Sequence, residues 1–114
     1  MPVIHTHVSV KTTKEQREAL KSIYGQAITA VPGKSESWLM CPFEDEMPIY
    51  FAGDDAPAAY IEVNVFGNKV DRSAWEKLTA EIMQGLHDVL GINEDRTYIR
   101  YTATLDWGWN GSNF

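Results

Sequence analysis

The sequence is poor in cysteine and in positive charge, and it contains no long apolar run. Its single cysteine, Cys41, excludes a disulfide within the chain and a CxxC redox pair. Ten basic against sixteen acidic residues give a net charge of −6, which argues against general nucleic-acid binding. No apolar window approaches the roughly 20 residues of a membrane helix, and the first residues lack a signal-peptide pattern. We therefore expect a cytoplasmic protein without nucleic-acid or membrane partners, with export by a non-classical route left open.

The rest of the composition is that of one compact globular domain. The chain has 114 residues, of which 44% are hydrophobic and 23% are charged. This length suffices for one core but not for two, and the balance excludes disordered and collagen-like proteins. We therefore expect a single domain over residues 1–114.

The first half of the sequence predicts a strand followed by a helix. Apolar and polar residues alternate over residues 2–10, which is the period of a half-buried strand. Thr12 and Glu15 have the spacing of a capping box, and Pro32-Gly33 ends the helix that follows. The apolar stripe of this helix comprises Leu20, Ile23, Ala27, Ile28 and Val31.

The second half repeats the same order. Residues 59–66 predict a strand, Ser73 and Glu76 a second capping box, Gly91 the end of a helix, and residues 96–103 the last long strand. The apolar stripe of the second helix comprises Trp75, Leu78, Ile82, Leu86 and Val89.

This repetition predicts an α+β fold built from two tandem β-α-β units, at about residues 2–57 and 58–114. The strands within each unit are expected to be parallel, because a helix-length crossover joins them. Two short strands, over residues 38–43 and 49–51, complete the first unit. We expect a four-stranded sheet, plus short strands, with both helices on one face.

Metal and thiol chemistry have weaker support in the sequence. His5 and His7 lie on one strand face and would need a third ligand, such as His87, to hold a metal ion. We interpret them as polar strand residues and expect no metal. The acidic run at residues 44–46 lacks a calcium-loop pattern, and Cys41 in an apolar segment is typical of a buried, inert thiol.

Three motifs carry a resemblance to a known family. They are Met1-Pro2, with a proline directly after the initiator methionine; Pro32-Gly33-Lys34, with a lysine at a helix exit; and the segments Arg96-Thr97-Tyr98-Ile99 and Trp107-Gly108-Trp109-Asn110-Gly111-Ser112-Asn113-Phe114. With the two β-α-β repeats and the length, the chain resembles the macrophage migration inhibitory factor family of the tautomerase superfamily.

The resemblance implies a homotrimer with an active site at each subunit boundary. It implies cofactor-free keto-enol tautomerisation of small α-keto acids such as phenylpyruvate. Aminopeptidases usually remove an initiator methionine before proline, which leaves Pro2 with a free amine as the general base. Lys34 matches the family's active-site lysine, and Tyr98 its active-site tyrosine, contributed by the neighbouring subunit.

The expected chemistry rests on an amine that is neutral near pH 7. A free α-amino group titrates near about 7.7–8.0, and burial or nearby cations lower that pKa further. Lys34 and Arg100 are expected within reach of Pro2, and Lys34 would bind a substrate carboxylate or the developing enolate oxygen. The substrate pocket is expected to be completed by three aromatic residues, namely Phe66, Trp107 and Phe114.

Two departures from the family pattern bear on specificity. Arg100 stands where animal members commonly have asparagine, and it offers a bidentate fork for a carboxylate. Phe66 replaces the usual aliphatic residue and narrows the pocket, although its backbone N–H remains a donor. Two alternatives stay open: a decarboxylase or hydratase that uses Pro2 as an acid, and a cytokine-like interaction protein with a vestigial site.

Overall fold

The computed structural model describes all residues, 1–114. Two α-helices, six strands and three single-turn 3₁₀ helices follow one another along the chain. The 3₁₀ helices span Ile28–Ala30, Glu36–Trp38 and Glu94–Arg96. The larger elements, in chain order, are β1 (Pro2–Val8), α1 (Lys14–Ala27), β2 (Phe43–Glu44), β3 (Ala59–Phe66), α2 (Arg72–Leu90), β4 (Thr97–Thr104), β5 (Gly108–Trp109) and β6 (Ser112–Asn113).

The main sheet has four strands in the order β2-β1-β3-β4. β1 and β2 are parallel across α1, and β3 and β4 are parallel across α2. The two units join through the antiparallel pair β1 and β3, in which Pro2 is level with Val65. The two tandem β-α-β units and the four-stranded sheet confirm the predicted fold class, and β4 lies at an open edge.

Both helices pack on one face of the sheet. Their apolar stripes meet strand residues that alternate between buried and half-buried positions, as in β3. Burial of such side chains supplies about 1.5–3 kcal/mol each for a large aliphatic residue. The core comprises Ile4, Val8, Leu20, Tyr24, Ala27, Ile28, Val31, Ala59, Ile61, Val63, Val65, Ala74, Leu78, Ile82, Leu86 and Ile92.

One buried polar contact ties α1 to the sheet. The hydroxyl of Tyr24 is hydrogen-bonded to that of Thr6 at 2.8 Å, and both residues are fully buried. A buried hydroxyl without a partner costs stability. The pair therefore fixes the helix against β1 without leaving either hydroxyl unsatisfied.

Both predicted capping boxes were wrong: the first lies one residue later than predicted, and the second does not form. The box at α1 is formed one residue later, by Thr13 and Gln16. Thr12 is instead held by Asp45, whose carboxylate accepts from both its backbone N–H and its hydroxyl at 2.8 Å. These bonds lower the pKa of Asp45. α2 starts after Asp71 and has no side-chain cap.

The predicted short strands are only partly formed. Residues 38–43 contain the end of a 3₁₀ turn, one isolated bridge from Met40 to Val3, and the first residue of β2. Pro42 interrupts the segment, because proline has no N–H to donate to a ladder. At residues 49–51 the only pairing is a bridge from Phe51 to Asp54.

The chain ends in a small hairpin of β5 and β6. Asn110 and Gly111 form its turn, both with positive φ, at 52° and 85°. Asn-Gly is the preferred sequence for a two-residue turn of this kind. Elsewhere, neither α-helix combines the length and apolarity needed to cross a membrane.

Candidate active site

The N-terminus is clamped between the end of β3 and the segment before β2. The carbonyl oxygen of Met1 accepts from the backbone N–H of Phe66 at 2.9 Å. The carbonyl of Pro2 accepts from the N–H of Met40 at 3.0 Å, and Pro2 is buried. The backbone around Pro2 is therefore fixed on both sides.

Lys34 reaches this N-terminus from the exit of α1. Its backbone N–H donates to the carbonyl of Val31 at 3.1 Å, which closes a turn after the 3₁₀ helix. Its ammonium group donates to the carbonyl of Phe66 at 2.6 Å and lies 5.7 Å from the centre of the Phe66 ring. An ammonium has three donors, so this bond leaves two of them for other partners.

The electrostatics at this point act on the N-terminal amine. Burial lowers the pKa of the Met1 amine, and the positive charge of Lys34 and a hydrogen bond with it lower the pKa further. Each effect disfavours the protonated amine. An amine in these surroundings is more often neutral near pH 7 than an ordinary N-terminus.

Aromatic side chains border the site, and the C-terminal hairpin supplies two of them. The ring of Phe114 packs edge-on against Phe66, with 5.2 Å between ring centres. Trp109 lies 6.3 Å from Phe114 and 5.2 Å from Trp38. Trp107 is joined to this group through its carbonyl, which accepts from the N–H of Phe114 at 3.0 Å.

A cavity of about 280 Å³ opens beside Lys34 and Phe66. Lys69 and Asp71 also line it, so two ammonium groups and one carboxylate border the recess. Ligand pockets usually measure about 300–1,000 Å³. The single chain thus provides a recess slightly below that range, with charges of both signs at its wall and one positive charge in excess.

Tyr98 and Arg100 lie away from Pro2 within the chain. Pro2 is level with Val65, and Val65 with Ala103, whereas Tyr98 is level with Tyr60. Ala103 is five positions after Tyr98 in β4, which is roughly 17 Å at about 3.3 Å per residue. Arg100 is three residues from Ala103. Arg100 is therefore out of reach of Pro2 within one chain, and the expectation that it acts at the site remains a prediction about an assembly.

Tyr98 and Arg100 nevertheless share a location. They are two residues apart on β4, so both project from the sheet face opposite the helices. Tyr98 is 64% exposed, and its ring meets Phe51 edge-on at 5.3 Å. Any surface that receives one of these side chains lies close to the other.

Comparison with known proteins places the chain in a family. The family model described as Macrophage migration inhibitory factor (MIF) matches residues 1–114. The chain belongs to the MIF family. This membership confirms the resemblance drawn from the sequence motifs, and the tautomerase superfamily fits it.

Relatives of this MIF family member span its whole length. A macrophage migration inhibitory factor homolog from Trichuris trichiura is 30% identical over 119 residues, covering 100% of both chains. The crystal structure of Leishmania major MIF2 matches with a TM-score of 0.93 at 37% identity, covering 100% of this chain and 97% of that one. A Prochlorococcus marinus homologue matches with a TM-score of 0.82 at 27% identity over 98% of each chain.

Two residues that the structure places beside the candidate site, Lys69 and Trp109, were not among the site residues predicted from the sequence. The Asn-Gly turn gave a signal for Trp109, because a two-residue hairpin turn there pairs Trp109 with Ser112 and brings the chain end back toward Trp107. Lys69 follows β3 in a connector whose path depends on packing. No periodic pattern marks it.

Proposed function

We propose that this protein is a cofactor-independent keto-enol tautomerase for small α-keto acids such as phenylpyruvate, with the amine of Pro2 as general base after Met1 is removed. The observation that carries the proposal is the setting of Pro2: the residue is buried and its backbone is held on both sides, and burial and Lys34 lower the pKa of the Met1 amine directly before it. An efficient general base has a pKa near the working pH and lies close to the carbon acid. The clamp around residues 1–2 holds such an amine in place.

The reaction moves one proton and one pair of electrons. The neutral amine of Pro2 takes a proton from the carbon next to the ketone, and the electrons of that C–H bond form the enolate C=C while the carbonyl oxygen gains negative charge. The N–H of Phe66, freed from its Met1 acceptor, and the ammonium of Lys34 stabilise that oxygen. The protonated amine of Pro2 then passes this proton to the oxygen, directly or through solvent, which gives the enol and restores the neutral base; the reverse sequence regenerates the keto acid.

The site is completed by a neighbouring subunit of a homotrimer. The small recess and the distance between Pro2 and Tyr98 support this arrangement, because one chain does not bring its own expected residues together. A neighbour that inserts Tyr98 also brings Arg100, whose guanidinium would bind the substrate carboxylate bidentately. Phe66, Phe114 and Trp109 form the apolar wall, with Trp107 behind it.

The surroundings of the N-terminus favour a base over an acid at Pro2. A decarboxylase or hydratase that uses the proline as an acid needs a protonated amine at working pH. Burial and Lys34 both oppose the protonated form of the Met1 amine, and after removal of Met1 the same surroundings would act on the amine of Pro2. The tautomerase reaction therefore fits the electrostatics better than the alternative reactions of the superfamily.

The test compares the processed wild-type protein with Pro2→Gly, after intact-mass measurement has verified loss of Met1 from both. Glycine keeps a free amine but is primary and more mobile, so the conversion of phenylpyruvate should fall strongly. Product analysis distinguishes enol-keto exchange from CO₂ release. Equal rates in the two proteins would overturn the role of Pro2, and a wild-type protein without exchange would favour the interaction-protein alternative.

A further inference from the structure

A second cluster of chemically active side chains lies on the sheet face opposite the helices. His5 and His7 project from β1 on this face, two residues apart. In the parallel pairing of β1 and β2, His7 is level with Glu44, and in the antiparallel pairing His5 is level with Glu62. The candidate third histidine, His87, lies on α2 beside Asp88. Pairing across strands thus places a carboxylate where sequence spacing had suggested a histidine.

The side-chain atoms of the cluster converge on one point. The Nε2 atom of His5 lies 2.6 Å from a carboxylate oxygen of Glu44, and the Nε2 atom of His7 lies 3.2 Å from the same oxygen. One ligand atom from each of the three residues falls within 4.8 Å of the others. Bonds of about 2.0–2.1 Å to a tetrahedral ion require ligand atoms about 3.3 Å apart. Small side-chain rotations therefore suffice to admit an ion.

The hydrogen bonding of His7 prepares it as a ligand. Its Nδ1 atom lies 2.9 Å from the carbonyl oxygen of Tyr60. A carbonyl only accepts, so Nδ1 is the donor in this bond, and Nε2, which faces Glu44, is the ring atom left for a metal ion. Metal-bound histidines nearly always donate their other ring N–H in this way. The rings of His5 and His7 are also only 4.0 Å apart, which restricts their rotation.

The charge and accessibility of the cluster suit a cation. Glu62 adds a second carboxylate, 3.9 Å from Nε2 of His7. The side chain of His7 is 11% exposed and that of Glu44 is 51% exposed, so one side of the cluster is fixed and the other is open. Two imidazoles and a carboxylate are the donor set of zinc and related ions, whereas Mg²⁺ and Ca²⁺ prefer oxygen ligands.

We propose that His5, His7 and Glu44 form a binding site for a divalent first-row transition-metal ion such as Zn²⁺. Glu62 borders the position left for a fourth ligand. The site is independent of Pro2, which lies on the other face of β1 because successive side chains of a strand alternate.

The test measures metal binding directly. Protein stripped with a chelator and desalted is titrated with Zn²⁺ by calorimetry, and with Co²⁺ by absorption spectroscopy, because the visible bands of Co²⁺ report nitrogen and oxygen ligands. His5→Gln and Glu44→Gln keep similar side-chain size without the ligand atom. His87→Gln is the matched control, since it removes a histidine from an exposed position outside the cluster.

We expect one Zn²⁺ per chain in the wild type and in His87→Gln, with no competition from Mg²⁺. In each ligand variant the affinity for Zn²⁺ should fall by more than about tenfold, since the loss of even an outer-shell partner typically lowers metal affinity 10–100-fold. Circular dichroism verifies that the variants are folded. Failure of the wild type to bind Zn²⁺, or equal weakening in His87→Gln, would overturn the proposal without bearing on the tautomerase activity.

Discussion

The backbone N–H of Phe66 donates to the carbonyl oxygen of Met1 across 2.9 Å. This bond extends the pairing of β1 and β3 by one residue, beyond Pro2 and Val65. Removal of Met1 would therefore do two things at once. It would create the amine of Pro2, and it would free a fixed donor next to that amine and to Lys34.

The first prediction concerns the retained methionine. A chain that keeps Met1, produced in a host without methionine aminopeptidase, should bind phenylpyruvate at least about tenfold more weakly than the processed chain, because a hydrogen bond to a charged group contributes about 1.5–3 kcal/mol. Equilibrium titration gives both dissociation constants, and intact mass defines each sample. Equal affinities would show that the N–H of Phe66 does not contact the substrate.

The second prediction concerns the charge of Lys34. Lys34 lowers the pKa of the Met1 amine, and we expect the same effect on the amine of Pro2 once Met1 is removed, so Lys34→Ala should raise that pKa. Because the neutral amine is the base, the rising limb of kcat/KM against pH should move to higher pH. Loss of a donor to the developing enolate should also lower kcat by about 100-fold. Lys34→Arg keeps the positive charge and should leave the rising limb of kcat/KM closer to its wild-type pH. A limb that does not move in Lys34→Ala would show that the charge of Lys34 does not set the pKa of the amine.

The third prediction tests whether two subunits build one site. Pro2→Gly and the double variant Tyr98→Phe/Arg100→Ala should each be nearly inactive. Refolded together in equal amounts, they should regain about a quarter of the wild-type activity, because a site between neighbours in a ring takes its two halves at random from the mixture. A mixture no more active than its parents, with trimers present by light scattering, would place both halves of the site in one chain.

The fourth prediction concerns the buried pair of Tyr24 and Thr6. Tyr24→Phe leaves the hydroxyl of Thr6 without its partner and should lower the free energy of unfolding by about 1–3 kcal/mol. The double variant Tyr24→Phe/Thr6→Val removes both hydroxyls and should recover part of that loss. Urea unfolding of the wild type, both single variants and the double variant gives the coupling energy. A coupling energy near zero would mean that the hydrogen bond does not stabilise the fold.

The fifth prediction concerns Cys41. Burial, followed by the charge of Glu36, raises the pKa of its thiol from 9.0 to about 11. At pH 8 the reactive thiolate should thus be about 100-fold scarcer than in an ordinary cysteine. Alkylation by iodoacetamide, followed by mass spectrometry, should be correspondingly slow in the folded protein and fast in urea. Glu36→Gln should speed the folded reaction modestly, and rapid alkylation of the folded wild type would contradict the raised pKa.

Much of the fold could be predicted because its signals are local. Apolar residues at helical spacing located both helices, and Leu20 and Leu78 are fully buried as their stripes require. The capping box near Thr12 was displaced by one residue, because Asp45 binds Thr12 from a distant segment. Such a contact depends on how β2 pairs with β1. Spacing in the sequence does not encode it.

Less of the candidate site could be predicted from the sequence, because its contacts also join distant segments of the chain. Lys34 and Phe114 could be named from motifs, and both contact Phe66 in the structure. The separation of Arg100 from Pro2 emerges only from strand register, which fixes distances along the sheet. The contact of Glu44 with His5 likewise arises from pairing over 39 positions in the sequence.

The open edge of β4 affects the tendency of the protein to aggregate. This strand runs for eight residues without proline or lysine, and no other strand of the chain covers its outer side. Natural proteins usually protect such an edge, because its free N–H and C=O groups are a template for strand addition and aggregation. Assembly of the subunits into a closed ring would cover this edge and so prevent fibril-like growth. Dilution that dissociates the subunits would expose the edge again and promote aggregation.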